Sequence, residues 1–427
     1  GVREKGKKGK TSAKTMFMIG STTKSLTSLM MAKLIDEKVF TWDSPITKLM
    51  PTFKLGDASA TSKVTMRHSM CACTGLPRQD MEFLFEFAKT TPQQRFDELA
   101  TMKPTTGFGE TFQYSNALVS AGGYVAARAA YPKLSLTAAY AKAMKTRVFD
   151  PVGMKHTTFD MKVAARAEHA SPHGVTPEPS YAVMPLSVET AVVSVAPAGG
   201  AWSTVGDLAR FMLVELAKGK SPSGEQLFGE SNLLERRKPG IKISDKANYG
   251  LALMTATSHG IHSVSHGGAT LGFSCAWVFY PEQGFGLVVL SNAQASGSFA
   301  GAVQRRVLEV LFDGKEQAAE NLAHSVARRK TDMARLTAEL VDEAAWQKQH
   351  VGVWHNTSLG TLTIGIKGKQ LTVDAGEWKT VAGQRKGKDG ASTIVLLGPP
   401  LIGTELLPKD GTLLLRAGQH SYTFRKK

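Results

Sequence analysis

Cysteine is scarce in this chain, with three residues among 427. Cys71, Cys73 and Cys275 cannot all pair, so a disulfide framework is not indicated. A Cys-x-Cys pair alone also supplies too few ligands for a zinc ion. We therefore expect all three side chains to be buried thiols, and we expect no structural metal.

Long apolar runs are also missing. No stretch reaches the roughly 18 consecutive apolar residues of a membrane-spanning helix, so we expect no membrane span. No signal peptide is seen, although the natural start of the protein is not seen either.

The composition, with 42% hydrophobic and 21% charged residues, is that of an ordinary globular protein. A chain of 427 residues predicts more than one domain.

Acidic residues are outnumbered, with 36 Asp and Glu against 52 Lys and Arg and a formal net charge of +16. Such an excess is typical of nucleic-acid-binding proteins, but no basic motif interleaved with aromatic residues accompanies it. We therefore expect a solvated basic surface and no nucleic-acid partner. An affinity for anionic surfaces, such as bacterial envelopes, stays open.

Several patterns that indicate other sites are incomplete. Gly9-Lys10-Thr11 resembles the end of a phosphate-binding loop, but Glu4 stands where that loop requires glycine. His259, His262 and His266 are close in sequence, yet on a strand the last two face one side and the first faces the other. No Gly-x-Ser-x-Gly motif occurs, which argues against an α/β-hydrolase. We expect no cofactor and no metal site.

What the chain does contain is three short motifs in a fixed order. The first, Ser21-Thr22-Thr23-Lys24, opens an apolar helical pattern, which predicts Ser21 on the first turn of a buried helix and Lys24 on the same face. A serine hydroxyl needs a neighbouring base, and lysine serves only when its pKa falls well below about 10.4. Burial and the positive end of the helix dipole both lower that pKa. The spacing therefore predicts a nucleophile and its base.

The second motif is Tyr114-Ser115-Asn116, which follows a glycine-rich loop and precedes an alanine-rich helix. A phenol can relay a proton between nucleophile and leaving group, and an amide can orient both substrate and lysine. This motif therefore predicts Tyr114 as a catalytic residue and Asn116 as an orienting residue.

The third motif, His266-Gly267-Gly268, is predicted at the start of an alternating run over 271–280 that pairs with a strand over 285–290. Gly267 and Gly268 remove side chains where a substrate backbone must approach closely. We expect the backbone N–H groups of Ser21 and Ala269 to stabilise the negative charge that develops on the substrate oxygen.

These motifs resemble those of the class C β-lactamase-like serine hydrolases, a family that includes D-aminopeptidases, DD-carboxypeptidases and β-lactamase-type esterases. The resemblance covers about residues 1–312. It extends to four segments typical of that family's connections, namely Trp42-Asp43-Ser44-Pro45-Ile46, Cys73-Thr74-Gly75-Leu76-Pro77-Arg78, Phe149-Asp150-Pro151-Val152-Gly153-Met154 and Pro197-Ala198-Gly199-Gly200.

The resemblance implies a role for each motif. Ser21 is the acylated nucleophile, and Lys24 and Tyr114 share the role of base. Asn116 orients the reacting groups, and His266 stands on the strand that lines the cleft.

The family resemblance also implies an α+β fold over residues 1–314, with an antiparallel sheet flanked by helices and a helical subdomain across the cleft. Only 20 residues precede Ser21 and Gly1 is not an initiator Met, so we expect a processed or truncated product whose sheet lacks the family's first hairpin. A charged helical stretch predicts a linker over 315–345. Short alternating runs predict a small antiparallel barrel or sandwich over 346–427. This region resembles the lipocalin-like C-terminal domain of some relatives of the D-aminopeptidases, which implies a small barrel that either caps the cleft or only stabilises or dimerises the protein.

The resemblance implies a serine hydrolase that acts on small esters or on peptides with D-residues. β-Lactamases have Lys-Thr-Gly where this chain has His266-Gly267-Gly268, and a neutral imidazole anchors a β-lactam carboxylate less well than an ammonium. Weak β-lactam hydrolysis stays an option. From a different class, the chain could be a penicillin-binding sensor that acylates without turnover. We expect an ester, peptide or β-lactam as the small-molecule partner and leave a homo-oligomer open. The family resemblance suggests a periplasmic or secreted bacterial protein.

Overall fold

The computed structural model describes residues 1–85, 87–178, 180–387 and 390–427. The first 314 residues fold into helices around a central sheet. Their α-helices are α1 (Thr23–Asp36), α2 (Ile46–Leu49), α3 (Ala58–Lys63), α4 (Met66–Met70), α5 (Pro92–Leu99), α6 (Asn116–Ala130), α7 (Leu136–Met144), α8 (Asp150–Val152), α9 (Met161–Arg166), α10 (Ala196–Gly199), α11 (Val205–Leu216), α12 (Glu230–Glu235) and α13 (Gly297–Leu311). Shorter 3-10 turns cover Gly20–Thr22, Met81–Phe83, Phe87–Lys89 and Leu186–Val192, and a π-helical turn covers Lys145–Phe149.

The strands of this part of the chain form one large sheet and two small ones. They are β1 (Phe17–Met18), β2 (His173–Val175), β3 (Tyr181–Val183), β4 (Trp202–Ser203), β5 (Ile241–Ser244), β6 (Ala247–Tyr249), β7 (Met254–Ser258), β8 (Ile261–Ala269), β9 (Ser274–Tyr280) and β10 (Phe285–Ser291). The large sheet is antiparallel in the order β10-β9-β8-β7-β6-β5, while β1 pairs with β4 and β2 with β3.

Helix α1 lies in the middle of the main core and is buried on nearly all sides. Several of its polar residues are hydrogen-bonded to other parts of the chain. Arg236 donates from Nη2 to the Ser25 carbonyl oxygen at 2.7 Å and from Nε to Ser28 Oγ at 2.9 Å, and it pairs with the buried carboxylate of Glu215 at 2.6 Å. Because buried polar groups are costly when unpaired, these bonds fix the position of the helix that begins next to Ser21.

The remainder of the chain begins with α14 (Ala318–Ala338), which packs on α13, and α15 (Ala344–His350). Its strands form one antiparallel sheet and are β11 (Leu340–Val341), β12 (Gly352–Asn356), β13 (Gly360–Lys367), β14 (Gln370–Asp374), β15 (Lys379–Lys386), β16 (Ser392–Leu396), β17 (Glu405–Lys409), β18 (Thr412–Ala417) and β19 (His420–Lys426). Within the described residues, β12 to β19 close into an eight-stranded barrel because β15 pairs with both β14 and β16. Strand β11, which lies in the segment predicted as a linker, also pairs with β15.

The barrel packs directly on the first part of the chain. Trp378, after β14, donates its ring N–H to the Leu84 carbonyl oxygen at 2.8 Å, and its ring lies 5.1 Å from that of Phe85. Tyr422 on β19 donates to Glu82 Oε1 at 2.7 Å. Since these contacts combine apolar burial with hydrogen bonds between buried groups, the two parts share one interface.

Two sequence-based expectations are corrected. Cys71 and Cys73 are joined by a disulfide with their Cα atoms 5.2 Å apart, so the prediction of buried thiols was wrong for them. The intervening Ala72 has φ +53°, which turns the chain so that the two side chains meet. Cys275 is a buried thiol as expected. The third motif lies at the end of β8 and not at the start of β9, because the chain turns between Ala269 and Ser274.

Among the described residues, no helix is both long and apolar enough to cross a membrane.

Candidate active site

Ser21 and Lys24 lie together where α1 begins. Ser21 occupies the 3-10 turn that leads into the helix, and Lys24 follows one turn later. Lys24 Nζ lies 2.9 Å from Ser21 Oγ and donates to the Ala198 carbonyl oxygen at 2.6 Å. The structure therefore brings the predicted nucleophile and base into hydrogen-bonding distance.

The Lys24 side chain is completely buried, and no carboxylate of the described residues forms an ion pair with it. Burial lowers the pKa of Lys24 well below its usual value, the positive charge of Arg78 adds to this, and the charge of Asp80 opposes it. Because a buried ammonium ion without a paired carboxylate is costly, the neutral amine with its free electron pair is favoured. A neutral lysine can accept the proton of Ser21.

Tyr114 lies just before α6, with the centre of its ring 4.8 Å from Lys24 Nζ. Burial raises the pKa of the Tyr114 phenol well above its usual range, and a hydrogen bond with the Ser21 hydroxyl offsets this in part. The phenol therefore stays protonated at neutral pH and can donate a proton while accepting another.

Asn116, at the first turn of α6, contacts a residue that the sequence did not suggest. Its amide Nδ2 donates to Asp80 Oδ1 at 2.9 Å, and Asp80 Oδ2 accepts from Arg78 Nε at 2.5 Å. The Arg78 guanidinium carbon lies 5.3 Å from the centre of the Tyr114 ring. The predicted orienting residue thus holds an Asp–Arg pair beside Tyr114.

The end of β8 lies against the turn that carries Ser21. Gly20 has φ +52°, and a Cβ atom there would lie 2.6 Å from the Ala269 backbone nitrogen. A Cβ atom on Gly268 would collide with the Ile19 carbonyl oxygen and would lie 3.0 Å from the Ser21 backbone nitrogen. Gly268 therefore makes room for the backbone of residues 19–21, whereas the sequence predicted that it makes room for a substrate. The close packing of the two backbone segments also places the N–H groups of Ser21 and Ala269 near each other.

Gly267 differs from Gly268, since a Cβ atom there would meet its nearest neighbour, the Cys275 carbonyl oxygen, at an ordinary 3.6 Å.

His266 is buried and has both ring nitrogens occupied. Nδ1–H donates to the Gly267 carbonyl oxygen at 2.7 Å, and Nε2 accepts from the Tyr249 hydroxyl at 2.9 Å. Burial is the main reason that the pKa of His266 is lowered to about 3, and the protonated form of Lys24, when present, acts in the same direction. The ring is therefore neutral at physiological pH, and it has no free nitrogen for a substrate carboxylate.

A cavity of about 1390 Å³ lies between the barrel and the first part of the chain. Pro77 and Gln79, on either side of Arg78, line it, as do the barrel residues 357–358 and 374–377. Thr105, also in its wall, donates to the Gln419 amide oxygen at 2.9 Å. The barrel therefore lines a space that reaches the two chain neighbours of Arg78.

A family model described as Beta-lactamase matches residues 1–312. The chain belongs to the beta-lactamase family. This confirms the resemblance inferred from the three motifs, and with it the β-lactamase-like α+β fold followed by a C-terminal antiparallel barrel.

One curated relative in this family is the unguisins hydrolase of Aspergillus campestris. The two are 24% identical over 345 residues, which cover 77% of this chain and 62% of that protein. The chain spans less than two thirds of the length of the curated relatives that match it first.

Two solved structures show the same fold. The octameric penicillin-binding protein homologue from Pyrococcus abyssi has a TM-score of 0.64 and 18% identity, with 100% of this chain and 92% of that chain covered. The D-stereospecific amidohydrolase from a Streptomyces species has a TM-score of 0.54 and 21% identity, with 67% and 84% covered.

Four groups that contact the site were not predicted from the three motifs. Arg78 and the Ala198 carbonyl fall within connecting segments that the sequence analysis singled out, so a signal for them was available. Asp80 and Tyr249 carry no such signal, because long-range packing alone brings them to Asn116 and His266. In the described part of the chain, no group of three or more His, Cys, Asp or Glu side chains is placed to hold a metal ion.

Proposed function

We propose that this chain is a serine hydrolase that forms an acyl-enzyme on Ser21. The observation that carries the proposal is the 2.9 Å contact between Ser21 Oγ and the fully buried amine of Lys24. A buried amine with a lowered pKa is a base at neutral pH, and a serine hydroxyl beside it is an activated nucleophile.

The acylation step follows from these positions. Lys24 Nζ takes the Ser21 proton as Oγ forms a bond to the substrate carbonyl carbon. The negative charge on the carbonyl oxygen lies between the N–H groups of Ser21 and Ala269. As the tetrahedral intermediate collapses, the proton passes from Lys24 through the Tyr114 hydroxyl to the leaving group, whose bond to the carbonyl carbon breaks. The same groups then take a proton from the water that hydrolyses the acyl-enzyme.

We further propose that the substrates are small esters or amides, including peptides with D-residues. The names of the relatives, an unguisins hydrolase and a D-stereospecific amidohydrolase, support amide substrates. His266 is neutral and both of its ring nitrogens are hydrogen-bonded, so it offers no charged group to a substrate carboxylate. β-Lactamases have a lysine ammonium at this position, and its absence supports a substrate other than a β-lactam. Hydrolysis of β-lactams is therefore expected to be weak.

The test combines covalent labelling with turnover. The protein is incubated with a p-nitrophenyl ester, a D-aminoacyl amide and a chromogenic cephalosporin, and the adduct is located by mass spectrometry. We expect an acyl group on Ser21 that turns over, and none in Ser21→Ala. The matched control is Ser62→Ala, which removes an exposed serine hydroxyl away from the site. A lasting adduct without turnover supports the sensor alternative, and turnover in Ser21→Ala refutes the proposal.

A further inference from the structure

Arg78 is a charged residue at the site that the proposed reaction does not use. Its side chain is 62% exposed, in contrast to the fully buried Lys24. Its Nε donates to Asp80, but its two terminal nitrogens, Nη1 and Nη2, have no partner among the residues that the structure describes. These two nitrogens form the edge of the guanidinium that binds a carboxylate through two parallel hydrogen bonds.

Two contacts hold this guanidinium in place, and a third holds its partner Asp80. Asp80 binds its Nε, Asn116 binds the other oxygen of Asp80, and the ring of Tyr114 lies 5.3 Å from the guanidinium carbon. A cation over an aromatic ring is stabilised by the electrons of the ring. Because the group is oriented before a substrate arrives, a ligand that binds it loses less entropy than with a free arginine.

The other candidate cations near Tyr114 do not offer this. His266 is neutral with both nitrogens bonded, and Lys24 is buried with its amine directed at Ser21 and Ala198. Arg78 thus combines a permanent charge, solvent access and free donors next to the catalytic tyrosine.

We propose that Arg78 is the carboxylate-binding residue of this site, and that preferred substrates carry a carboxylate on the leaving-group side of the scissile bond. This inference rests on the proposed function, in which Tyr114 delivers the proton to the leaving group. A leaving group that takes its proton from Tyr114 lies next to the ring under the Arg78 guanidinium. Peptides whose released residue has a free carboxyl terminus meet this requirement, as do esters of hydroxy acids.

The experiment compares two esters that differ only in the charge of the leaving group, 3-acetoxybenzoate and 3-acetoxybenzamide. For Arg78→Gln, we expect the ratio of kcat/KM for the anionic ester to kcat/KM for the neutral ester to fall about 10- to 100-fold from the wild-type ratio. Most of the change lies in KM. Differences in chemical reactivity between the esters cancel, because each variant is compared with the wild type on the same substrates.

Two further variants complete the design. Arg78→Lys keeps the charge but loses the two-pronged donor edge, so its ratio should lie between those of wild type and Arg78→Gln. Arg147→Gln is the matched control, since Arg147 also lies over a tyrosine ring, at 5.4 Å from that of Tyr131, and pairs with Glu37 after the far end of α1. Its ratio should equal that of wild type.

A binding measurement separates this inference from the proposed function. Calorimetry on Ser21→Ala, with and without Arg78→Gln, measures the affinity for 3-acetoxybenzoate and 3-acetoxybenzamide without turnover. If wild type hydrolyses neither ester, the proposed function fails, yet an Arg78-dependent affinity for the anion alone still supports the carboxylate site. Equal losses on both esters, or an unchanged ratio in Arg78→Gln, overturn the inference.

Discussion

Replacement of Lys24 tests the central element of the site, the amine that is expected to act as the base. Lys24→Arg keeps the hydrogen-bond donors, but it replaces the neutral amine with a guanidinium that does not lose its proton at any pH that the protein tolerates. Lys24→Met removes the amine and keeps a side chain of similar length. The two variants thus fail for different structural reasons but share one chemical defect, the loss of a group that can accept the Ser21 proton.

The magnitude follows from what Lys24 contacts. Loss of a positioned general base lowers kcat/KM about 10²- to 10⁴-fold. Lys24→Met also leaves the buried Ala198 carbonyl without its donor, which costs about 1–3 kcal/mol of folding stability. Lys24→Arg adds atoms to a fully buried position, which costs about 1–3 kcal/mol. It also buries a permanent charge without a paired carboxylate, which adds roughly several kcal/mol. Both variants should therefore be inactive, and Lys24→Met, the less destabilised of the two, should still be folded.

The assay is the pH dependence of kcat/KM for a neutral ester, with urea unfolding to measure stability. In wild type, kcat/KM should rise with pH as Lys24 loses its proton, with a midpoint well below the usual lysine value because burial lowers the pKa. Lys33→Arg is the control, since Lys33 lies on the same helix and its amine also donates to a backbone carbonyl, that of Leu227. More than about a tenth of wild-type activity in Lys24→Met, with the same rise in rate, would show that the base is elsewhere.

Three further outcomes are expected. Ser21→Ala should abolish turnover. It should leave the free energy of unfolding within about 1 kcal/mol of wild type, because the Ser21 side chain lies in the turn before α1 and not in the core. Residual turnover or a larger loss of stability would contradict this. His266, whose pKa burial lowers to about 3, should show no protonation between about pH 5 and 9 in a histidine NMR titration, and a step near pH 6.5 would refute its neutral role. Glu215→Gln should cost about 3–5 kcal/mol in urea unfolding because it leaves Arg236 buried without its counter-charge, whereas Glu225→Gln at the surface should cost little. Burial raises the pKa of Glu215 but the paired arginines lower it more, so the stabilisation is present above the unfolded carboxyl pKa and is lost as pH falls.

Local patterns predicted much of the candidate site. Ser21 and Lys24 are one helical turn apart, so their contact follows from the helix alone. Asn116 was predicted to orient substrate and lysine, and its amide lies on Asp80 instead. That contact joins residues 36 positions apart through tertiary packing, which no periodicity in the sequence reports.

The barrel shows a different limit. Alternating runs in the sequence at 360–366, 370–373, 392–397, 403–407, 412–416 and 420–425 predict six of its strands, whereas no such run predicts β12 or β15. The inward-facing residues of β15 include Thr380, Ala382 and Gln384, so the strand lacks the apolar alternation that identifies a buried face. Gln384 is fully buried because its amide is satisfied by Glu343 and Ser392. A search for alternating apolar residues therefore does not predict a barrel strand whose buried residues are polar and hydrogen-bonded.

One wall of the cavity belongs to the first part of the chain, and the other wall belongs to the barrel. On one side are residues next to Arg78, and on the other are barrel turns such as 357–358 and 374–377. Turns on a closed barrel tolerate insertions and substitutions better than strands do, because their backbone bonds face solvent. Sequence variation in these turns can therefore reshape the space beside the site while Ser21, Lys24 and Tyr114 stay unchanged. The barrel turns are thus positions where substitutions can change the shape of this space without touching the residues predicted to be catalytic.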